Sequence, residues 1–363
     1  MPRPGGDVKP TLPLNPGRAR HASPLPKYLF IPSMNTNYGN PMNPVAESES
    51  RVDFPGFTLR DATLQDKAHV LQFTANTWEF GDYIEHVYDD WLADTTGRFI
   101  VLEEEATGRI AAIDKLSFQS PAEAWFEGLR VNPDFRGHGL AGRLQKYMIE
   151  QSRAYGARTL RFITLISNKP VHRMAYRDGF SLLSVVRFWK WRANFPETGP
   201  QGAEAYKLRK ASPGEAPLLF QWWQRTSAYA TGGLAHLNWS FASSSTHLWV
   251  EAAEKGHLLL PHDAQVEGSP MPLPTLLLLD GHDDGGKPAW VLSAVTALDD
   301  EWALLLRGLC AHALEQGIIE INGLLPDTID ATLGLKAAGF KADSDNERLC
   351  LFELILHPID QKT

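Results

Sequence analysis

V-N-P-D-F-R-G-H-G-L-A-G-R-L, from Val131 to Leu144, decides how this chain is read. It joins the β-rich segment A-W-F-E-G-L-R-V (Ala124–Val131) to an amphipathic run with Leu140, Leu144, Tyr147 and Met148 at helical spacing. Gly137, Gly139 and Gly142, with Ala141 between them, let a ligand approach main-chain N–H groups at the positive end of that helix. Such a turn suits an anion. A dinucleotide fingerprint would need G-x-G-x-x-G opening the first helix of a βαβ unit; here the turn follows an antiparallel meander and Arg136 precedes the glycines. The Gly-Lys-Ser/Thr of a Walker A loop is not there either.

Working outward, R-F-I-V-L-E (Arg98–Glu103), I-A-A-I-D-K-L-S-F (Ile110–Phe118) and Ala124–Val131 read as a β-meander. Before it lie a helical run, Tyr83 to Leu92, and F-T-L-R-D-A-T (Phe57–Thr63), a strand ending on Thr63 as N-cap. After the loop helix, which Gly156 stops, a strand is expected at Leu160–Ile166. Asn168 and Lys169-Pro170 then open a short helix that stops at Gly179, and F-S-L-L-S-V-V-R-F-W-K-W closes the unit. The landmarks recur: Y-K-L-R-K-A-S (Tyr206–Ser212) matches Phe57–Thr63, and L-K-A-A-G-F (Leu335–Phe340) matches the stop at Gly179-Phe180. Internal duplication is the economical reading.

At 363 residues the chain exceeds one ordinary core, and 43% hydrophobic residues, with 11 Trp and 17 Phe, suffice for two. The expected organisation is a Pro-rich disordered tail at 1–54, a catalytic unit at 55–195, a linker at 196–203 and a degenerate second unit at 204–363. Ten of the 25 prolines fall in residues 1–50, a segment too poor in apolar clusters to offset the entropy of ordering. A translation start at Met34 or Met42 would account for it. A net charge of −8 argues against a nucleic-acid partner. Cys310 and Cys350 sit in apolar segments and read as buried thiols, so neither a disulfide framework nor a metal site is expected. No apolar run is long enough for a membrane span and no secretory signal stands at the N-terminus, so a cytoplasmic monomer or homodimer is expected.

The loop resembles that of the GNAT superfamily of acyl-CoA-dependent N-acetyltransferases: its R/Q-x-x-G-x-G/A is matched by Arg136, Gly139 and Ala141, and P-x-x-R-G-x-G-x-A-G-x-L runs from Pro133 to Leu144. The strand order, the Leu-Arg-x-Ala-Thr opening and N-K-P-V-H-R-M-A-Y-R-D-G-F from Asn168 extend the resemblance. It implies an α+β fold of two tandem GNAT-like domains, each a mixed, mostly antiparallel twisted sheet flanked by helices. It also implies acetyl-CoA as co-substrate and no metal. Leu129, Arg130 and Val131 would lie beside the thioester arm. Arg136, Gly137, His138, Gly139, Leu140, Ala141 and Gly142 would wrap the pyrophosphate, with Arg143 adding charge, and Asn168 would bond the pantetheine arm.

The implied reaction is acetyl transfer to a primary amine of a small molecule or amino acid, by direct attack in a ternary complex. It needs a proton acceptor, and an acid near the departing thiolate helps. Many family members place a tyrosine four residues before the Gly-Phe, where this chain has Ala175. Tyr176, turned by about 100° on a helix, is either that acid or a packing residue. Glu127 is the candidate base, with structural pairing to an arginine as the alternative. His138 and His172 read as surface or capping residues; Tyr83, Glu85, His86 and Tyr88 either shape the acceptor pocket or simply pack. In the second half A-L-D-D-E-W replaces the loop, and Asp299, Asp300 and Glu301 would repel a pyrophosphate. That half is expected to lack the cofactor and to cover the open end of the first. The tandem arrangement and E-G-L-R-V also resemble histidine N-acetyltransferase-type proteins. Ala175 leaves a second reading, a non-catalytic acyl-CoA-binding sensor or interaction protein.

Overall fold

The computed structural model describes residues 52–357 except 78–80, 195–203, 238, 284–285, 299–300 and 343–347. The tail up to residue 51, the whole of the expected linker, and Asp299 and Asp300 therefore lie outside the described residues. The first half runs β1 (Phe57–Asp61), α1 (Lys67–Thr74), α2 (Ile84–Ala93), β2 (Arg98–Glu104), β3 (Ile110–Ser120), β4 (Glu123–Val131), α3 (Leu140–Ala154), β5 (Thr159–Leu165), α4 (Lys169–Arg177) and β6 (Ser181–Arg192). The second runs β7 (Leu208–Lys210), α5 (Ala216–Thr226), β8 (Leu234–Leu237), β9 (Ser240–Ser243), α6 (Thr246–Glu254) and β10 (Leu258–Pro261). It continues with β11 (Thr275–His282), β12 (Pro288–Thr296), α7 (Glu301–Glu315), β13 (Glu320–Pro326), α8 (Ile329–Ala337), β14 (Lys341–Ala342) and β15 (Arg348–Ile355).

Both halves open on the same device. Arg60 grips Asp66 through two bonds of 2.7 and 2.8 Å, and Asp66 accepts the Thr63 N–H at 2.8 Å, which starts the turn before α1. Arg209 grips Glu215 at 2.7 and 3.0 Å, and Glu215 accepts the Ser212 N–H at 2.8 Å ahead of α5. In each case the acid three residues after the Thr or Ser accepts that residue's backbone N–H, and a strand arginine holds the acid in place.

The sheet is where the structure departs from expectation. Instead of two separate sheets there is one of thirteen strands, ordered β1-β2-β3-β4-β5-β15-β6-β13-β12-β11-β10-β7, with β14 also on β6. Read from either edge the order is the same, because the last strand of each half has crossed to the other. β15 pairs antiparallel with β5 and β6, and β6 pairs antiparallel with β13. Phe352 and Leu354 of β15 accordingly enter the core under α3 and α4, whereas Trp189 and Trp191 of β6 enter the core under α7 and α8. The exchange leaves neither half a free central edge.

Residues 52–54, the end of the segment expected as tail, lie against the first core. Val52 and Phe54 pack on the first core, Phe54 meets the Tyr147 ring edge-on at 6.2 Å, and the Asp53 carbonyl accepts an Arg143 bond of 2.6 Å.

A buried ion cluster locks the crossing. Arg161 donates to Glu123 at 2.5 Å and to Glu353 at 2.6 Å, tying β5 to β4 and β15, and Glu123 also accepts the Ser243 N–H and hydroxyl from β9. Burial alone would raise the Glu123 carboxyl, but the bonds from Ser243 and Arg161 outweigh it and hold it below the usual carboxylate range. That stability is present above the ordinary carboxyl value and is lost as pH falls through the depressed one. Glu123→Gln is expected to cost about 2–3 kcal/mol in urea unfolding at neutral pH, with a smaller cost in acid; a loss under about 0.5 kcal/mol would contradict it.

Candidate active site

Only Glu123–Trp125 of β4 pair with Thr159–Arg161 of β5, in parallel; from Phe126 onward the two strands part. The bulge that starts the parting is on β4, where Glu127 and Arg130 oppose Lys115 and Ile113, three steps against two. Gly128 sits there at φ +75°, and a Cβ on it would come within 2.4 Å of the Trp91 ring. Only glycine satisfies both demands. The extra residue turns Glu127 and Arg130 to the same face, the one covered by α2, while Leu129 and Val131 pack on the opposite core beneath α3.

After β4 a short turn of 3₁₀ helix, Pro133–Phe135, leads into the glycines. Gly137 and Gly139 have φ of +85° and +72°, and Gly139 is the N-cap of α3. Within the described residues no N–H from Gly137 to Gly142 is bonded; the first is that of Arg143, to the Gly139 carbonyl. These exposed donors at a helix start form an anion-binding nest. A Cβ on Gly137 or Gly139 would meet nothing within 4 Å, so the space above them is open. Leu140 is buried and anchors the helix start, with Ala141 and Gly142 half-buried behind it.

The remaining predicted residues fall in several directions. Arg136 is exposed and lines a cleft of about 450 Å³ with His69, Asn76 and Arg109. His138 turns its Nδ1 back to the Phe135 and Arg136 carbonyls, at 3.1 and 3.2 Å, and stiffens the loop. Arg143, expected to add charge to the loop, donates to Asp53 instead. The cation beside the glycines is one the sequence did not single out: Arg177 of α4 lies 3.2 Å from where a Gly142 Cβ would be, held by two bonds to Asp178. Asn168 caps the start of α4 by position and donates to Thr164 Oγ1 at 3.1 Å.

Glu127 accepts from Ser117 Oγ at 2.9 Å. Burial pushes its carboxyl up, partly offset by the Lys115 ammonium and the Ser117 bond. Lys115 is sealed from solvent and paired with Asp94, and Arg130 is gripped by Asp82 at 2.7 and 3.1 Å above the Tyr83 ring. Among the described residues Glu127 therefore has no arginine partner of its own. Asp114, beside the bulge, is fully buried and burial drives its carboxyl well above the usual range.

Tyr176 is not brought to Glu127. Its ring stands edge-on to Phe352 at 5.5 Å, on the α3–α4 face of the sheet, and Glu127 belongs to the other face. Ala175 is fully buried. Tyr83, the N-cap of α2, reaches the site, and within the helix Tyr88 donates to the Thr63 carbonyl at 2.8 Å, a packing role; Glu85 and His86 are exposed.

In the second half the strands that correspond by position, β12 and β13, also part, after Val291 and Asn322. There the gap is bridged by β8: His236 Nδ1 accepts the Leu324 N–H at 3.2 Å, and its carbonyl accepts from Ser293 Oγ at 2.7 Å. Burial lowers the His236 pKa to about 3, which keeps the ring neutral and able to accept. At the start of α7, Glu301 accepts the Leu298 N–H at 2.9 Å, so a carboxylate stands where the first half has its nest. Nothing in L-A-H-L signalled this role.

Residues 65–180 match the family model described as acetyltransferase (GNAT) family. The histidine N-acetyltransferases of Oreochromis niloticus and Scomber australasicus are 28% and 27% identical over 118 residues, 32% of this chain and 33% of theirs, so the match spans about a third of each. Among solved structures, a GCN5-related N-acetyltransferase from Sphaerobacter thermophilus superposes with a TM-score of 0.55 at 16% identity, covering 85% of this chain and 98% of that one. A glucosamine N-acetyltransferase region of a fungal multi-domain β-N-acetylglucosaminidase gives 0.51 at 14% identity, covering 82% and 38%. The chain thus has a GNAT-like fold over most of its length, and its segment 65–180 is similar in sequence to the acetyltransferase (GNAT) family.

Proposed function

We propose that residues 55–195 are the catalytic unit of an N-acetyltransferase that moves an acetyl group from acetyl-CoA to a primary amine. One observation carries the reading: a row of N–H groups, Gly137 to Gly142, unbonded among the described residues, follows β4 where that strand has parted from β5. The nest and Arg177 suit the pyrophosphate, and the main chain of Leu129 and Val131, with Asn168, flanks the arm. Glu127 lies on the far side of the parted strands, where an amine would enter. As the amine nitrogen bonds to the acetyl carbon, the carbon–sulfur bond breaks, the amine proton passes to Glu127 directly or through water, and the thiolate of CoA leaves.

The shared opening device and the two-way strand order support duplication, with residues 204–363 as a copy that holds no cofactor because His236 and Glu301 stand in the corresponding places. Its β8–β9 hairpin then serves the first half: Phe241 packs with Trp125, and Ser243 bonds Glu123. Isothermal titration with acetyl-CoA and thiol release over a broad amine panel test the reading. Saturable binding and turnover with at least one amine are expected. Binding with no turnover across the panel would favour a non-catalytic acyl-CoA sensor, which the Ala175 position permits; no binding would defeat both.

A further inference from the structure

We propose that the acceptor is an amine without a neighbouring carboxylate, on a neutral or further cationic frame; the inference rests on the acetyl-transfer reading above. Glu127, Arg130 and Tyr83 are half-buried, not sealed, and Arg130 lies over the Tyr83 ring beside the Gly128 bulge, so the three line one partly open recess. The charges around it are unequal in their freedom.

An α-carboxylate is held by a free guanidinium edge or ammonium, and the two cations beside Glu127 offer neither. Arg130 spends Nε and Nη2 on Asp82, donates Nη1 to the Leu129 carbonyl at 3.1 Å and lies over the Tyr83 ring at 5.2 Å. Lys115, with 1% of its side chain exposed, is committed to Asp94 and, at 3.3 Å, to the Leu116 carbonyl. Each of these cations is cancelled by its own acid, so the uncancelled group is Glu127.

An ammonium entering the recess meets that carboxylate. A carboxylate carried alongside it would be desolvated without a donor, close to Glu127, Asp82 and Asp94.

The test is a set of matched pairs that differ by a carboxylate, histamine against histidine and cadaverine against lysine, assayed by thiol release with saturating acetyl-CoA. In each pair the decarboxylated member is expected to show kcat/KM at least about tenfold higher. Asp82→Asn, which loosens the grip on Arg130, is expected to narrow that ratio while acetyl-CoA still binds by titration. Amino acids turned over as well as or better than their amines would overturn the inference and leave the transfer reading standing. If acetyl-CoA binds but neither these pairs nor any amine of the broad panel is turned over, the transfer reading falls and this inference with it; turnover confined to amines that carry a carboxylate overturns the inference alone.

Discussion

Gly139→Glu is expected to weaken acetyl-CoA binding by at least about 100-fold, close to 3 kcal/mol, with the fold retained. The protein itself has room for the new side chain, since a Cβ there meets nothing within 4 Å. The main-chain conformation, φ +72°, costs an L-residue about 1–2 kcal/mol, which bears on stability more than on binding. The loss in affinity comes from elsewhere. The glutamate carboxylate stands over donors that no group among the described residues satisfies and competes for them with the pyrophosphate, while adding like-charge repulsion at the helix start. Gly156→Ala is the control, because Gly156 has φ +86°, equally open surroundings and a place at the other end of α3. It should lower the melting temperature to a similar extent and leave the affinity unchanged. Titration of the two variants beside the parent separates strain from site, and an affinity for Gly139→Glu within about threefold of the parent would remove the nest as the pyrophosphate site.

What made that loop legible is that its signals are local. Glycines at positive φ, a proline-opened turn and the first apolar residues of a helix lie within one short segment, as do Thr63 and Asp66 of the opening cap. The exchange of β6 and β15 had no such signal, because consecutive apolar residues such as Phe188 and Trp189 or Leu351 and Phe352 are buried on both faces of the sheet and fit either neighbour equally well. The grip of Asp82 on Arg130 spans 48 residues, so neither residue predicts the other. The hairpin strands β8 and β9 have four residues each, too few for a periodic pattern, and the burial of His236 depends on strands more than fifty positions away. Glu127 was visible as an acid on the right strand, but the geometry that leaves it without an arginine is set by the Gly128 bulge.

Glu127→Gln tests that geometry. If Glu127 takes the amine proton, the substitution should lower kcat by about 10²–10⁴-fold, the usual contribution of a positioned base, and leave acetyl-CoA affinity within about twofold. The pH profile separates a base from a structural residue. Burial raises the Glu127 carboxyl, and only its ionised form accepts a proton, so kcat/KM should climb with pH through a limb lying above the ordinary carboxylate range and then level off. Glu127→Gln should erase that limb. Lys115→Met, which removes the ammonium that favours the ionised form, should move the limb to higher pH and not erase it. Stability runs in the opposite direction. A carboxyl raised in the folded state holds its proton more tightly there than in the unfolded chain, so the parent loses stability as pH rises from the ordinary value through the raised one. The glutamine variant should lack that loss, and should therefore gain on the parent in melting temperature as pH increases, just where its activity falls furthest behind. A variant that keeps the parent's rate and limb would leave Glu127 as a partner of Ser117 alone and place the proton acceptor elsewhere on the recess.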